Sequence, residues 1–498
     1  MTTTLKQLIE YIKPEEIFNL NACENSEITG ITFNSKIVKP GDIFVCIKGE
    51  HSDGHDFAQS AVNNGAIAVI SEKELPCMTF PVLKVKDTQL ALAQASALIY
   101  DFPSEKINLI GITGTNGKTT VTHLIENIFE KAGLKCGLIG TLGNRDSSGE
   151  KYISSGHTTP QASELQKSLK DFADKGIKNV VMEVSSHSVE QHRIAECSFN
   201  SAVLTNLTQD HLDYHITMEN YFKAKSKLFA ALKNNSESYA VINNDDSYAE
   251  RFIKVIPENV RIFTYGIKNK ADITAENTVF SANGSKFTCI TPFGNKEINL
   301  QMAGMFSIYN ALASLAAGLA EGIDLNICAE ALESTSSVAG RFETVSRKPL
   351  VIVDYAHTPD GLENVLKAAK DLVPSGGRLI CVFGCGGDRD ATKRPQMGRI
   401  AEVLCDKVII TSDNPRSEDQ QQIITDILSG IKSLNSNKII VETDRKAAIE
   451  SAIRISKEND VIMLAGKGHE DYQILNNETI HFDDREEAKK AVEKFLSK

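Results

Sequence analysis

The stretch "INLIGITGTNGKTTVTHLIENIF" opens as an apolar strand and meets Gly111, Gly114 and Gly117 before Lys118, Thr119 and Thr120. Glycines let backbone N–H groups curl round a phosphate with no Cβ in the way. A helix opening at Lys118 adds the partial positive charge of its N-terminus. In such a loop Lys118 reaches the β- and γ-phosphates of ATP, and the Thr119 hydroxyl meets Mg²⁺. The strict G-x-x-x-x-G-K-[ST] spacing is not met, because position 112 is Ile. The alternative is an ordinary strand-to-helix turn. Lys-Thr directly after the last glycine favours nucleotide binding, with Gly114, Thr115, Asn116, Gly117, Lys118, Thr119 and Thr120 as the loop.

A triphosphate brings Mg²⁺, which takes hard oxygen ligands and keeps water. "VVMEVSSHS" places Glu183 at a strand end, and "LTNLTQDHLDYH" places His211 after another. Either alone reads equally well as a solvated loop residue; on consecutive strands beside a phosphate loop they become candidate ligands. In "TMENYFKAKSKLFAAL", Met218, Tyr221, Phe222, Leu228, Phe229 and Leu232 form one helical stripe. Lys225 falls inside it, while Lys223 and Lys227 point away. Spacing alone favours a lysine that snorkels its ammonium to water. The other reading is an inward, desolvated amine, neutral enough to react with CO₂ and offer a carbamate to a metal.

These groups need several elements to hold them. At 498 residues the chain exceeds one ordinary core. Residues 1–103 read as a small α/β unit and "DFPSEK" as a linker. From there strand, glycine loop and helix alternate, as in a parallel sheet covered on both faces. After "SSVAGRFETV" the runs "LVIVDY", "RLICVFG", "DKVIITS" and "DVIMLAG" repeat the scheme. The expected architecture is three α/β domains: 1–103, 104–340 with a mostly parallel P-loop-type sheet, and 341–498, which is Rossmann-like. The net charge of −11 argues against a general nucleic-acid surface. The N-terminus lacks a signal-peptide core, and no run is long enough to span a bilayer. Scattered cysteines fit a reducing cytoplasm. A cytoplasmic monomer is expected, without nucleic-acid or membrane partners.

Taken in order, "GTNGKTT", "HTTP", "MEVSSH", "NLTQDHLDYH", "AKSKLF", "GRFE", "DYAHTP", "FGCGGDRD", "DNPR" and "AGKGHE" resemble the Mur ligases of peptidoglycan synthesis, and among them the diaminopimelate-adding members. The resemblance covers nearly the whole chain and is weakest in the first block. It implies three domains, for the UDP end, for ATP and for the incoming amino acid. It implies an ATP-dependent amide ligase acting on UDP-N-acetylmuramoyl-L-alanyl-D-glutamate and meso-diaminopimelate through an acyl phosphate. It makes Lys225 a carbamylated lysine, and Glu183, His211 and Thr119 Mg²⁺ ligands. Lys118, Lys225 and His211 become the catalytic set. His157, Thr158, Thr159, Ser185, Gln191 and Arg193 would hold the muramoyl-dipeptide, and Ser35 the uridine end. There the usual family "DSR" is Asn34-Ser35-Lys36, which loses a carboxylate and exchanges Arg for Lys. Asn310, Arg341, Asp354 and His357 would approach ATP.

In that light "ITSDNPRSED" is a strand running into a recognition loop. Arg416 can grip a carboxylate through two parallel hydrogen bonds. Asp413 and Asn414 can orient an ammonium, and Pro415 stops the strand from running on. Arg389, Gly466 and Glu470 follow neighbouring strands, so all would share the carboxyl edge of the sheet. A β-turn with a surface arginine is the plain alternative. The competing functions are a lysine-adding ligase, which "DNPR" opposes, a folylpolyglutamate-type relative, which "HTTP" and the first block oppose, and a P-loop ATPase or nucleotide switch. His211 and His357 are both candidates for a general base.

Overall fold

In the computed structural model all residues are described except 1–2, 50–51, 76–78, 147–155, 282, 434–436, 477 and 497–498. Three α/β layers follow one another along the chain, as the strand–helix alternation predicts. The first has five strands between Glu16 and Lys84. Its strands Gly30–Thr32 and Asp42–Val45 pair in parallel on either side of the Pro40-Gly41 turn.

The second sheet has seven strands. Its spatial order is Arg261–Tyr265, Tyr239–Asn243, Ser201–Leu204, Asn108–Thr113, Asn179–Glu183, Cys136–Ile139 and Arg145–Asp146. Only the last pair is antiparallel. A strand buried on both faces reads as a continuous apolar run, and its alternate residues enter opposite cores. Ile110, Ile112, Val181, Val203 and Val241 pack on one side with the helices Lys118–Lys131 and Met305–Ala320. Leu109, Val180, Met182, Ala202, Leu204 and Ile242 pack on the other with Ala162–Asp174 and Met218–Ala230. An antiparallel three-stranded sheet, Thr274–Leu300, leads into the helix Met305–Ala320.

The third sheet has six strands, ordered Glu343–Arg347, Leu350–Asp354, Val461–Ala465, Leu379–Phe383, Lys407–Ile410 and Ile439–Val441. All neighbours are parallel except the first pair. The carboxyl ends of these strands carry Asp354, Gly384, Asp413 and Gly466, and those of the second sheet carry Gly114, Glu183, Thr205 and Asn243. Ligands of open parallel sheets bind at such edges.

Beneath the third edge lies an ion pair that the sequence did not announce. The side chains of Arg445 and Asp484, both 0% exposed, are joined by two hydrogen bonds of 2.8 and 2.6 Å. The same guanidinium donates to the carbonyls of Ser412 and Ala465. It thereby fixes the two backbones that lead into Asp413 and Gly466. Among the described residues no helix is long and apolar enough to cross a membrane.

Candidate active site

The phosphate loop follows the strand Asn108–Thr113 directly. Gly114 and Gly117 have φ of +150° and +88°. A Cβ on Gly114 would sit 1.8 Å from Thr205 Oγ1, and one on Gly117 2.5 Å from Asn310 Oδ1. The loop therefore needs glycine for space as well as for dihedral freedom. No side chain caps the helix that begins at Lys118, so its first N–H groups are available to an anion. Asn116 is held from several directions. Its N–H donates to Asn206 Oδ1, its carbonyl accepts from Thr205 Oγ1, and its Nδ2 donates to Asp360 Oδ2 of the third unit at 2.9 Å.

A cavity of about 650 Å³ opens on this loop. Thr115, Asn116, Gly117, Lys118, Thr119, Thr120, Asn310, Arg341, Asp354 and His357 all line it. The residues expected around ATP are thus gathered from two sheets, with Gly114 just behind. Lys118 Nζ donates to the carbonyls of Gly114 and Thr115, both at 2.9 Å. Burial pulls its pKa down, opposed by the negative charges of Glu183 and Asp210; an incoming triphosphate favours the ammonium. Arg341 Nη2 reaches across to Thr119 Oγ1 at 2.9 Å. Asp354 accepts the N–H groups of Phe342 and Ala356 at 2.7 Å, so its carboxylate shapes the strand end beside the cavity.

Glu183 is buried, and its hydrogen bonds come from neutral donors: Thr119 Oγ1 at 3.0 Å, Thr141 Oγ1 at 3.1 Å and Thr141 N at 2.8 Å. A buried carboxylate served by hydroxyls and an amide is a hard-oxygen set that fits Mg²⁺. Among the described residues no three His, Cys, Asp or Glu side chains group as a metal cage. His211 sits in the left-handed region with φ 54°, its Nε2 3.2 Å from Asp210 Oδ2.

Lys225 does not snorkel. It is 1% exposed, its Nζ donates to Gly114 O at 2.9 Å, and it lies 4.7 Å from the centre of the Tyr221 ring. The helical stripe placed it inward; the phosphate loop packed over it closes the route to water. Burial drives its pKa well below the usual lysine value, and Lys118 adds repulsion. Lys223 and Lys227 are exposed.

The hinge into this helix is strained. Ile216 has φ 69° and ψ −44° and closes a three-residue γ-turn, with Thr217 N bonded to His215 O at 2.8 Å. This is the uncommon, strained hand of the γ-turn, occupied by a β-branched side chain that is 76% exposed. Ile216→Gly is expected to raise stability by about 1 kcal/mol, the relief of strain less the added chain entropy. Thermal unfolding of the two proteins measures this.

The residues expected to hold the muramoyl-dipeptide form a second group beside Glu183. Thr158 Oγ1 meets Thr141 Oγ1 at 3.1 Å, and Thr159 Oγ1 donates to Glu183 O and lies 3.4 Å from Ser185 Oγ. Arg193 donates to Thr159 O and to Gln191 Oε1, while its buried Nε has no partner among the described residues. An unsatisfied guanidinium N–H suits an anionic ligand. His157 is exposed nearby in sequence, and Ser35 lies in the first unit, its carbonyl bonded to Asn64 Nδ2.

The expected acceptor residues gather at the edge of the third sheet, outside the wall of the main cavity. Asn414 Nδ2 donates to Glu470 Oε2 at 2.8 Å, and Arg416 Nη1 to Gly387 O at 2.7 Å. Gly466 faces Asp413, where a Cβ would come 2.5 Å from Oδ2. Arg389 is exposed and bonds its neighbour's carbonyl. Pro415 leads to Arg416 in the left-handed region at φ 53°. Sequence reasoning missed Lys467, whose buried Nζ lies 3.1 Å from Glu470 Oε2 and 3.3 Å from Asn414 Oδ1. It also missed Thr141, Asp210, Tyr355 and Asp360. Tyr355 and Lys467 stand inside motifs already singled out; Thr141 carries no local signal.

Comparison with known proteins gives the family and the fold. Family models match as Mur ligase family, catalytic domain (27–100), Mur ligase middle domain (112–318) and Mur ligase, glutamate ligase domain (340–468). A UDP-N-acetylmuramoyl-L-alanyl-D-glutamate–2,6-diaminopimelate ligase of Clostridium botulinum is 50% identical over 468 residues, covering 92% of this chain and 94% of its own. The protein of that name from Bacillus velezensis is 45% identical over 98% of both chains. A solved structure with the same name superposes with a TM-score of 0.67 at 34% identity, covering 99% of each chain. The MurF ligase of Thermotoga maritima in complex with ADP shares the fold, with a TM-score of 0.65 at 22% identity over 94% of this chain and 98% of its own.

Proposed function

The chain belongs to the Mur ligase family, and from that premise and the cleft geometry we propose that it joins an amine of meso-diaminopimelate to the D-glutamyl γ-carboxylate of UDP-N-acetylmuramoyl-L-alanyl-D-glutamate, at the expense of ATP. One observation favours a ligase over a nucleotide switch. Side chains of the third unit seat directly on the phosphate loop, Arg341 on Thr119 and Asp360 on Asn116. That brings the acceptor-bearing sheet to the site of phosphoryl transfer. The reading carries with it a cytoplasmic, monomeric enzyme.

The γ-carboxylate attacks the γ-phosphorus, giving an acyl phosphate and ADP. The neutral amine then attacks the acyl carbon, phosphate leaves, and an amide remains. Lys118, Arg341 and the helix N-terminus hold charge that spreads over the transferring phosphoryl oxygens. Glu183 and the Thr119 hydroxyl would hold Mg²⁺, which would supply further charge neutralisation to the transferring phosphoryl group. Arg193, with Thr158, Thr159, Ser185 and Gln191, grips the dipeptide and leaves its γ-carboxylate facing the phosphate loop; Ser35 meets the uridine end. Water must be excluded, because it would hydrolyse the acyl phosphate.

Burial lowers the pKa of His211 to about 3 and that of His357 to about 4. Both imidazoles are therefore neutral near pH 7. His357 Nδ1 meets the Tyr355 carbonyl at 2.8 Å, which leaves Nε2 with its lone pair as a proton acceptor. The test is phosphate release from ATP with the UDP-linked dipeptide and a panel of amino acids. Release is expected only with all three substrates and with meso-diaminopimelate far ahead of L-lysine. Equal release from ATP alone would instead establish a nucleotide hydrolase.

A further inference from the structure

One ring touches both the acceptor cluster and the group at the phosphate loop. The face of Tyr355 lies 4.7 Å from Arg341 Cζ, and the same guanidinium donates to Thr119 Oγ1 at 2.9 Å. At the far end of the ring, Tyr355 Oη is 3.5 Å from Glu470 Oε1. The other oxygen of Glu470 accepts from Asn414 and Lys467. Tyr355 also lines the main cavity. It is the aromatic member of "DYAHTP" that neither the nucleotide nor the acceptor assignment used.

The ring has little freedom of its own. His357 and His469 flank it with centroids at 4.7 and 5.0 Å. The backbone N–H of Tyr355 donates to Gly340 O at 3.0 Å, one residue before Arg341. Gly468 passes so close that a Cβ there would lie 2.7 Å from Tyr355 Cβ. A shift of the 466–470 loop therefore displaces the ring, and a shift of the ring displaces the guanidinium stacked on it. Cation–π stacking fixes Arg341 over the ring face and leaves its N–H edge for other partners. Burial and the Glu470 charge together push the phenol above its usual pKa, so it keeps its proton and can donate to that carboxylate.

We propose that Tyr355 is a positioning residue that couples occupancy of the acceptor cluster at Glu470 to the placement of Arg341 at the phosphate loop, so that diaminopimelate and nucleotide strengthen each other's binding. The proposal rests on the ligase reading above. Its consequence is timing: the phosphate site holds nucleotide most firmly when an amine is at hand to consume the acyl phosphate.

The experiment measures binding of a non-hydrolysable ATP analogue to the full chain by calorimetry. Mg²⁺ and the UDP-linked dipeptide are saturating, and meso-diaminopimelate is present or absent. In the parent protein the acceptor is expected to tighten analogue binding by about 5- to 100-fold, within the usual range of coupling between sites. Tyr355→Phe keeps the ring under Arg341 and loses the contact to Glu470, so the coupling falls to about twofold or less, while affinity for the analogue alone changes less than the coupling does. Tyr355→Leu loses both ends, and the analogue binds more weakly even without acceptor. In a double-mutant cycle with Glu470→Gln the two losses of coupling do not add. Full coupling retained in Tyr355→Phe, or no coupling in the parent, overturns the proposal. Either result leaves the ligase reading intact if phosphate release still requires all three substrates; loss of that requirement in the parent overturns the ligase reading itself.

Discussion

Lys225→Ala is expected to lower ligation turnover by about 10²- to 10³-fold, the scale seen when one preorganised electrostatic group is removed from a reacting site. The structure supplies two of the conditions that a carbamate needs. The amine is buried against Gly114 O, and desolvation with the nearby Lys118 favours its neutral form. A neutral amine that adds CO₂ and releases one proton becomes a carbamate, whose two oxygens would share a single negative charge beside the phosphate loop. The variant removes the Nζ bond to Gly114 as well, so the fold is checked separately by thermal unfolding; alanine itself suits a helix interior. High concentrations of formate, acetate or chloride are expected to restore part of the lost turnover in Lys225→Ala and none in the parent. Labelling with ¹³C-bicarbonate is expected to give a carbamate signal in the parent that is missing from the variant. Unchanged turnover in Lys225→Ala would remove the lysine from the chemistry.

The case of Lys225 also marks where sequence reasoning stops. Its place on the apolar stripe was visible, because helix periodicity is local. Whether its ammonium could reach water was not, since that depends on a loop 111 positions earlier in the chain. The phosphate loop itself was legible for the opposite reason: strand, glycines, Lys-Thr and helix all lie within one short window. The short apolar runs in "NVVMEV" and "SAVLTNL" likewise pointed to strands buried on both faces, and these residues do divide between two cores. The polar floor of the third sheet stayed hidden. Arg445 and Asp484 each start a helix and read as ordinary surface charge, and only the tertiary fold brings them together without solvent. A lysine after a strand is usually solvated; Lys467 instead sits buried among Asn414 and Glu470, offsetting carboxylate charge that would otherwise accumulate with Asp413.

Arg416→Ala is expected to lower kcat/KM for meso-diaminopimelate by about 10²-fold or more, the scale for losing one partner of a desolvated charge pair. L-Lysine should be affected far less, because it lacks the second carboxylate. The backbone explains why the residue is held so firmly. Arg416 takes a left-handed conformation, and its N–H bonds Ile474 O while Nη1 is committed to Gly387 O. With one N–H anchored, the planar fork is oriented before any ligand arrives, so little side-chain entropy is lost on binding. Arg416→Lys keeps the charge and loses the fork; a lysine can make a point contact but not two parallel bonds. It should therefore retain some affinity for diaminopimelate and lose most of the discrimination. Discrimination of this kind depends on what happens to the empty site as much as on the filled one. With lysine the rest of the fork would lack its carboxylate partner, and the loss of that pair would separate the two amino acids. The measurement is kcat/KM for both amino acids in the parent and the two variants. Should the ratio be the same in all three, the discriminating contact lies elsewhere in the cluster, and Arg389 becomes the residue to change next.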